Sequence, residues 1–293
     1  MSNESHRRTL QPSRPVDPSV LHVLRLLDPI AREAGCEYFV AGATARDLIL
    51  VNLHGLRPGR ATRDIDFGIA VESWDVFELL KNRLITTGEF KPTSELQQHL
   101  TCTSLDGSVC VPIDLIPFRG VVSADLMVAW PPGRDLVLNV AGFEEALASA
   151  VLIEIDEGVV IRVASASGLA LLKLIAWKDR GRANNKDATD LHRLFASYAD
   201  AGNTDRLYDH ESDLLESAGF DIEVAGAELL GRDVGRICSR PAMQEIRGLL
   251  ESEPDLERLV NQMAQGSIFP ERLSAIDRIV NAFRRGFLKQ VEG

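Results

Sequence analysis

Apolar residues recur along the chain with two periods, and the change from one to the other divides it. Val20, Leu21, Leu24, Leu27 and Ile30 share one face of a helix opened by Pro18 and ended near Gly35. Tyr38 to Ala41 form a short apolar run of the kind that makes a buried strand, followed by Gly42 and a second helix from about Thr44 to Asn52. Residues 53–63, LHGLRPGRATR, make a basic loop broken by Gly and Pro. Asp64 to Val71 reads as a strand, and Ser73 leads into a helix carrying Trp74, Phe77 and Leu80. The segment 98–117 is a hairpin whose second strand is CVPIDLIPF, and residues 134–163 add strands DLVLNV, AVLIEI and VVIRVA around a short helix, Phe143–Ala148. From Ser167 onward helical periodicity takes over, in GLALLKLIAWK, KDATDLHRLFASYA, AELLGRDVGRICS, AMQEIRGLLE, PDLERLVNQMAQG and PERLSAIDRIVNAFRRGFLK. The pattern predicts an α/β domain over residues 18–165 and a helical domain over 166–293. Residues 1–17, rich in Ser, Arg and Pro, are expected to be disordered.

Composition narrows the class. With 293 residues, 45% hydrophobic and 26% charged, the chain is an ordinary soluble globular protein, able to bury a large core without disulfides or structural metals. Its net charge of −11, from 43 acidic and 32 basic residues, argues against a nucleic-acid coat protein held by a positive surface. It leaves room for RNA met by a local basic patch. The four cysteines, Cys36, Cys102, Cys110 and Cys238, have no CxxC or zinc-ligand spacing. A two-residue turn at Asp106-Gly107 would pair Thr103 with Cys110, leaving Cys102 on the other face, which argues against a disulfide. The polar start lacks the apolar core of a signal peptide, and no run approaches the roughly 20 apolar residues of a membrane span. A cytoplasmic protein with no membrane contact is expected. The chain holds no GxSxG, HExxH or P-loop motif, which removes several hydrolase and NTPase classes.

The candidate chemistry is carboxylate chemistry. Asp64 and Asp66 flank Ile65 at the head of a strand, so both side chains lie on one face, about 6–7 Å apart. Two carboxylates so placed are either a solvent-facing pair or the oxygen ligands of a divalent cation. Asp114 sits in VPIDLIPF, an apolar strand. An ionised carboxylate there needs a partner, either an ion pair with Arg119 or Arg63 or a metal shared with the Asp64/Asp66 strand. Gly42, in VAGATARD, lets backbone approach a ligand at a helix start, where N–H groups favour phosphate. The same residues are also a plain strand–helix turn with Thr44 as its cap. Lys173 lies among apolar residues in LALLKLIAW, either snorkelling to the surface or pointing into a cleft. The basic segment Lys178–Lys186 and the series Arg57, Arg60, Arg63 would steer a phosphate or RNA, or are solvated loops. Arg284, Arg285 and Lys289 read as a solvated face, and His192 as a surface or packing residue.

These residues together resemble the nucleotidyltransferase superfamily. A Gly-containing strand–turn–helix, a DxD on the next strand and a later Asp on another appear in AGATARDLIL, ATRDIDFGI and VPIDLIPF. The segment LLK173LIAWKDRGRANNK186-D187-ATD190L is similar to the Lys helix and Lys/Arg-Asp helix of AbiEii-type nucleotidyltransferases, which include toxins of type IV toxin–antitoxin pairs. The resemblance covers about residues 36–200. It implies an α+β nucleotidyltransferase fold, a mixed sheet with flanking helices, followed by the helical half. It implies metal ligation by Asp64, Asp66 and Asp114, with Mg²⁺ or Mn²⁺ as the ion. Gly42, Ala43, Thr44, Arg46 and Lys173 would bind the NTP, ATP among the candidates, and Asp187 would orient Lys173 or the acceptor. The activity implied is transfer of NMP from an NTP to an acceptor hydroxyl, with pyrophosphate released. The acceptor would be tRNA, another RNA or a protein, and the partner an antitoxin. The chain departs from the family pattern at Ala43, where Gly or Ser is usual, and in keeping Arg46-Asp47. The alternatives are a catalytically degenerate nucleotide- or partner-binding protein of the same fold, and a housekeeping RNA-tailing or small-molecule nucleotidyltransferase.

Overall fold

The computed structural model describes residues 7–9, 14–59, 64–93, 97–104, 107, 110–267 and 269–291. Two compact units divide the chain, Met1–Ser165 and Ala166–Gly293.

The first unit runs β1 (Arg7–Thr9), α1 (Pro18–Glu33), β2 (Glu37–Ala41), α2 (Gly42–Asp47), a π-helical turn Leu48–Leu53, β3 (Ile65–Val71) and α3 (Trp74–Thr86). It continues through β4 (Phe90–Pro92), β5 (His99–Thr103), β6 (Cys110–Arg119), β7 (Met127–Ala129), β8 (Val137–Asn139), α4 (Phe143–Ala148), β9 (Val151–Asp156) and β10 (Val159–Val163). Among the described residues one mixed sheet has the order β1-β9-β10-β2-β3-β6-β5-β4, while β7 and β8 form a separate hairpin. The central strands β2 and β3 are buried along nearly their whole length, the near-continuous apolar pattern expected when helices cover both faces of a sheet. Asp17 starts α1 by accepting from the backbone N–H of Ser19 at 2.8 Å, with Pro18 at the first helical position. On one side of the sheet Phe39 meets Phe118 and Phe143 edge-on, with centroids 6.0 and 5.9 Å away.

Two expectations change here. Part of the N-terminal segment expected to be disordered is ordered, since Arg7–Thr9 pairs in parallel with Leu152–Glu154 at the sheet edge. Backbone pairing alone suffices there, and it leaves no apolar signature in the sequence. The helix expected over 44–52 begins at Gly42 and widens into the π-helical turn. The hairpin register does pair Thr103 with Cys110, and all four cysteines are free; Asp106 lies outside the described residues.

The second unit comprises α5 (Ala166–Arg180), α6 (Lys186–Ser197), a π-helical turn Ala199–Asn203, α7 (Thr204–Asp209), α8 (Ser212–Ser217), α9 (Ile222–Ile237), α10 (Arg240–Leu250), α11 (Glu253–Met263) and α12 (Pro270–Val291). Helices α9 and α12 cross with backbones in contact, because Gly231 and Gly286 carry no side chain at the crossing. A Cβ on Gly286 would overlap the Glu228 carbonyl. Glu228 is 2% exposed and is bound by Arg285 at 3.0 Å and Lys289 at 2.9 Å. Those two cations, with Arg284 on Glu253 at 2.9 Å, therefore hold helices together and are not merely a solvated face. Phe195 stacks on Phe283 at 4.2 Å beside the crossing. Gly286→Ala is expected to destabilise the protein by about 1–3 kcal/mol, since the helices must separate to admit a methyl group. Chemical denaturation with an unchanged slope and a lower midpoint would show it. No helix among the described residues is long and apolar enough to cross a membrane.

Candidate active site

In the first unit β3 and β6 are parallel neighbours, and their register sets Asp66 directly beside Asp114. Ile65 and Ile113, one residue before them, are fully buried, so the alternation turns both carboxylates to the opposite face. Burial is the largest influence on Asp114 and pushes its carboxyl above its ordinary value; His99 pulls it down and the charge of Asp64 adds to the rise. Asp64 is thus close enough to act on Asp114; it stands just ahead of β3, while Asp66 and Asp114 lie side by side on two strands in the interior of the sheet. Gly42, at φ +61°, packs its backbone against the Asp66 carboxylate, where a Cβ would overlap the acid.

His99 is a site residue that sequence reasoning passed over. It lies opposite Asp114 in the β5–β6 ladder, and its Nδ1 contacts Asp114 Oδ1. The ion pair considered for Asp114 does not form with Arg119, which binds Glu144 at 3.0 Å and Glu37 at 3.3 Å. Arg60 and Arg63 lie outside the described residues.

The residues around Gly42 have structural work to do. Thr44 is buried and donates its hydroxyl to the Asp64 carbonyl at 3.1 Å, tying the start of α2 to the head of β3. Arg46 is 3% exposed and binds Asp47 at 2.9 Å. Thr44 thus has a backbone partner at the head of β3, and Arg46 an acid partner on its own helix. Ala43 is half-buried beside them.

In the second unit, Lys173 on α5 is ion-paired to Asp187 at 3.0 Å and Asp190 at 2.8 Å, one turn apart on α6. Arg180 adds bonds of 2.7 and 3.1 Å to Asp187. Burial opposes charge on Asp187, but the Arg180 bond and the Lys173 charge hold its carboxyl below the ordinary value. Lys173 loses solvation on burial too, and the two acids more than compensate, raising its ammonium above the ordinary value. Lys173 thus neither snorkels free nor stands alone. His192, two residues beyond Asp190, is kept below its ordinary value by burial and by the charge of Arg272, consistent with packing.

As a donor set, Asp64, Asp66 and Asp114 suit a hard divalent cation, being anionic oxygens on and just ahead of two neighbouring strands with glycine backbone against one of them. Among the described residues their side chains, or any three of His, Cys, Asp or Glu, are not drawn together into a closed ligand cluster.

The first unit thus combines a mixed sheet, a glycine turn, acids at the head of β3 and a third acid on its neighbour β6. Residues 25–282 match the model of the family described as "Nucleotidyl transferase AbiEii toxin, Type IV TA system", and the chain belongs to that family. It is accordingly a nucleotidyltransferase, an enzyme that moves a nucleoside monophosphate from a nucleoside triphosphate. A comparison with curated protein sequences gave no match. Among solved structures, the chain is similar to an antigenic nucleotidyltransferase-like protein from Paracoccidioides brasiliensis, with 14% identity, TM-score 0.43, and 70% of this chain and 93% of that one covered. The antibiotic-resistance factor ANT(2'')-Ia gives 12% identity, TM-score 0.35 and coverage of 70% and 98%. The Thermotoga maritima CCA-adding enzyme, solved with tRNA, gives 15% identity, TM-score 0.26 and coverage of 94% and 82%.

Proposed function

We propose that the chain is a divalent-metal-dependent nucleotidyltransferase that joins NMP to an acceptor hydroxyl on tRNA or another RNA, as the toxin of a type IV toxin–antitoxin pair in the cytoplasm. The observation that carries the metal assignment is the register of Asp66 beside Asp114, with Asp64 near enough to raise the Asp114 carboxyl. These three residues would hold Mg²⁺ or Mn²⁺, which when bound would neutralise triphosphate oxygens and activate the attacking hydroxyl. Gly42, whose lack of a side chain lets its backbone lie against the Asp66 carboxylate, would meet the nucleotide as the resemblance implies. His99 contacts the Asp114 carboxylate, and Thr44 ties the start of α2 to the head of β3. Lys173, ion-paired to Asp187 and Asp190, would bind the nucleotide's phosphates as the resemblance implies. The toxin role and the antitoxin partner rest on the family description.

The test is incubation of the protein with each α-labelled NTP, Mg²⁺, and bacterial RNA or protein as acceptor. Label on RNA supports the proposal, and label confined to protein moves the acceptor to a protein hydroxyl. NTP binding without label transfer or pyrophosphate release would replace the enzyme by a binding protein of the same fold.

His99 offers a finer check. Removing a group that orients a metal ligand typically costs 10–100-fold in activity, so His99→Ala is expected to slow transfer by about that factor while the circular dichroism stays native. His99→Asn, which keeps a donor near the Nδ1 position, should retain more activity than His99→Ala.

A further inference from the structure

The second unit carries an open cleft of about 460 Å³ whose walls are unusually rich in side-chain amides, with Asn185, Asn261, Gln262 and Gln265 joined there by Glu257 and Arg258. Gln262 has a structural task, accepting from Trp177 Nε1 at 2.6 Å and donating to the Gly181 carbonyl at 2.5 Å. It thereby pins the end of α5 and the connection that follows. Arg258 lies over the Trp177 ring, 4.3 Å from its centroid, and pairs with Asp255 at 3.0 Å. Its Nε is buried without a hydrogen-bond partner among the described residues. A buried donor of that kind ordinarily has an acceptor, and Arg258 is one of the residues lining the cleft.

Asn185, Asn261 and Gln265 are exposed and present both donors and acceptors. That is the complement of a nucleobase edge, which also alternates donors and acceptors. A phosphate does not fit these walls, because Glu257 sets a negative charge among the amides. Cations stand instead on the connection that carries Asn185, where Arg182 and Lys186 are both exposed. Cations for backbone phosphates beside polar groups for a base edge are among the means by which proteins hold single-stranded RNA. Asn185 also precedes Lys186-Asp187 in the chain, so the cleft adjoins the helix that fixes Lys173.

We infer that this cleft holds one unpaired nucleobase at the single-stranded end of an RNA acceptor. The inference rests on the RNA-acceptor part of the proposed function and deepens it.

The experiment measures binding without NTP, so that it is independent of catalysis. A hairpin RNA with an unpaired 3′ overhang, the same hairpin with a blunt end, and free mononucleotides are titrated into wild type and into Asn261→Ala/Gln265→Ala. The wild type should prefer the overhang. The double variant should bind the overhang RNA about 10–100-fold more weakly, two base contacts being lost, and should show no preference over the blunt hairpin. Asn185→Ala, whose side chain makes no capping bond at α6, should give a smaller loss of the same kind from a different element. Equal binding of blunt and overhang RNA by the wild type would overturn the inference, as would a double variant with unchanged affinity. Tight mononucleotide binding lost in the variant, with no overhang preference, would assign the cleft to a free nucleotide and overturn the RNA-end assignment. A chain that transfers label to RNA yet fails this test loses the cleft alone. A chain that passes it without transferring label loses the proposed reaction and keeps the cleft.

Discussion

Asp66→Asn is expected to lower NMP transfer by about 10³-fold or more while the protein stays folded and still binds RNA. The side chain keeps its shape, so the packing of Gly42 backbone against it is preserved. What disappears is one negative charge where β3 and β6 lie side by side, next to Asp114. A surface pair of acids serving only solubility would be indifferent to that change, and relieving like-charge repulsion would even stabilise the fold slightly. Loss of activity at unchanged or higher stability is therefore the mark of a functional acid. The measurement is pyrophosphate release alongside thermal unfolding of the same preparation. Gly42 would report the same geometry from the other side, because a methyl group there must displace the Asp66 carboxylate.

Lys173→Met is expected to have the largest effect on stability, costing about 3 kcal/mol and removing transfer with it. Asp187 is 2% exposed and Asp190 11%, so both acids would lose a cation 3.0 and 2.8 Å away with little water to replace it. Arg180 still reaches Asp187, which keeps the loss nearer the lower end of the range for broken buried pairs. The pH dependence follows from the depressed Asp187 carboxyl. A carboxyl lowered on folding contributes stability above its unfolded value, near 3.8, and loses it as pH falls through the folded value. The raised Lys173 ammonium contributes below its unfolded value, near 10.5, and loses that contribution as pH rises through the folded one. The difference between wild type and Lys173→Met should therefore be flat through neutral pH and narrow at both extremes. Denaturation midpoints at neutral and acid pH check this, and a difference that widened in acid would contradict the assignment of the network.

The sheet and its acids were legible because both depend on local alternation. Asp64-Ile65-Asp66 and the apolar strand around Asp114 state their faces in the sequence, and strands β3 and β6 then only had to be neighbours. His99 was within reach as well. The pairing of Thr103 with Cys110, extended four residues along each strand, brings His99 opposite Asp114. Thr44 and Arg46 were harder, since a hydroxyl or guanidinium at a turn points to ligand or backbone according to packing that no spacing encodes. The Lys173 partners lie 14 and 17 residues away on another helix, and a shared helix face for Asp187 and Asp190 was their only local sign. The strand at Arg7–Thr9 and the burial of Glu228 between its two cations come from long-range pairing and left no trace in periodicity.

The most direct measurement of the central claim is a metal switch on the substrate's α-phosphate. An NTP with sulfur in place of an α-phosphate oxygen is offered to the wild type with Mg²⁺, and then with Mn²⁺ or Cd²⁺. Hard Mg²⁺ binds sulfur poorly and softer ions bind it well. Transfer that collapses in Mg²⁺ and returns with the softer ion would place a metal at Asp64, Asp66 and Asp114 against the reacting phosphate, provided the rescue is lost in Asp66→Asn. Transfer that is the same with every ion, or that persists after chelation, would contradict the account.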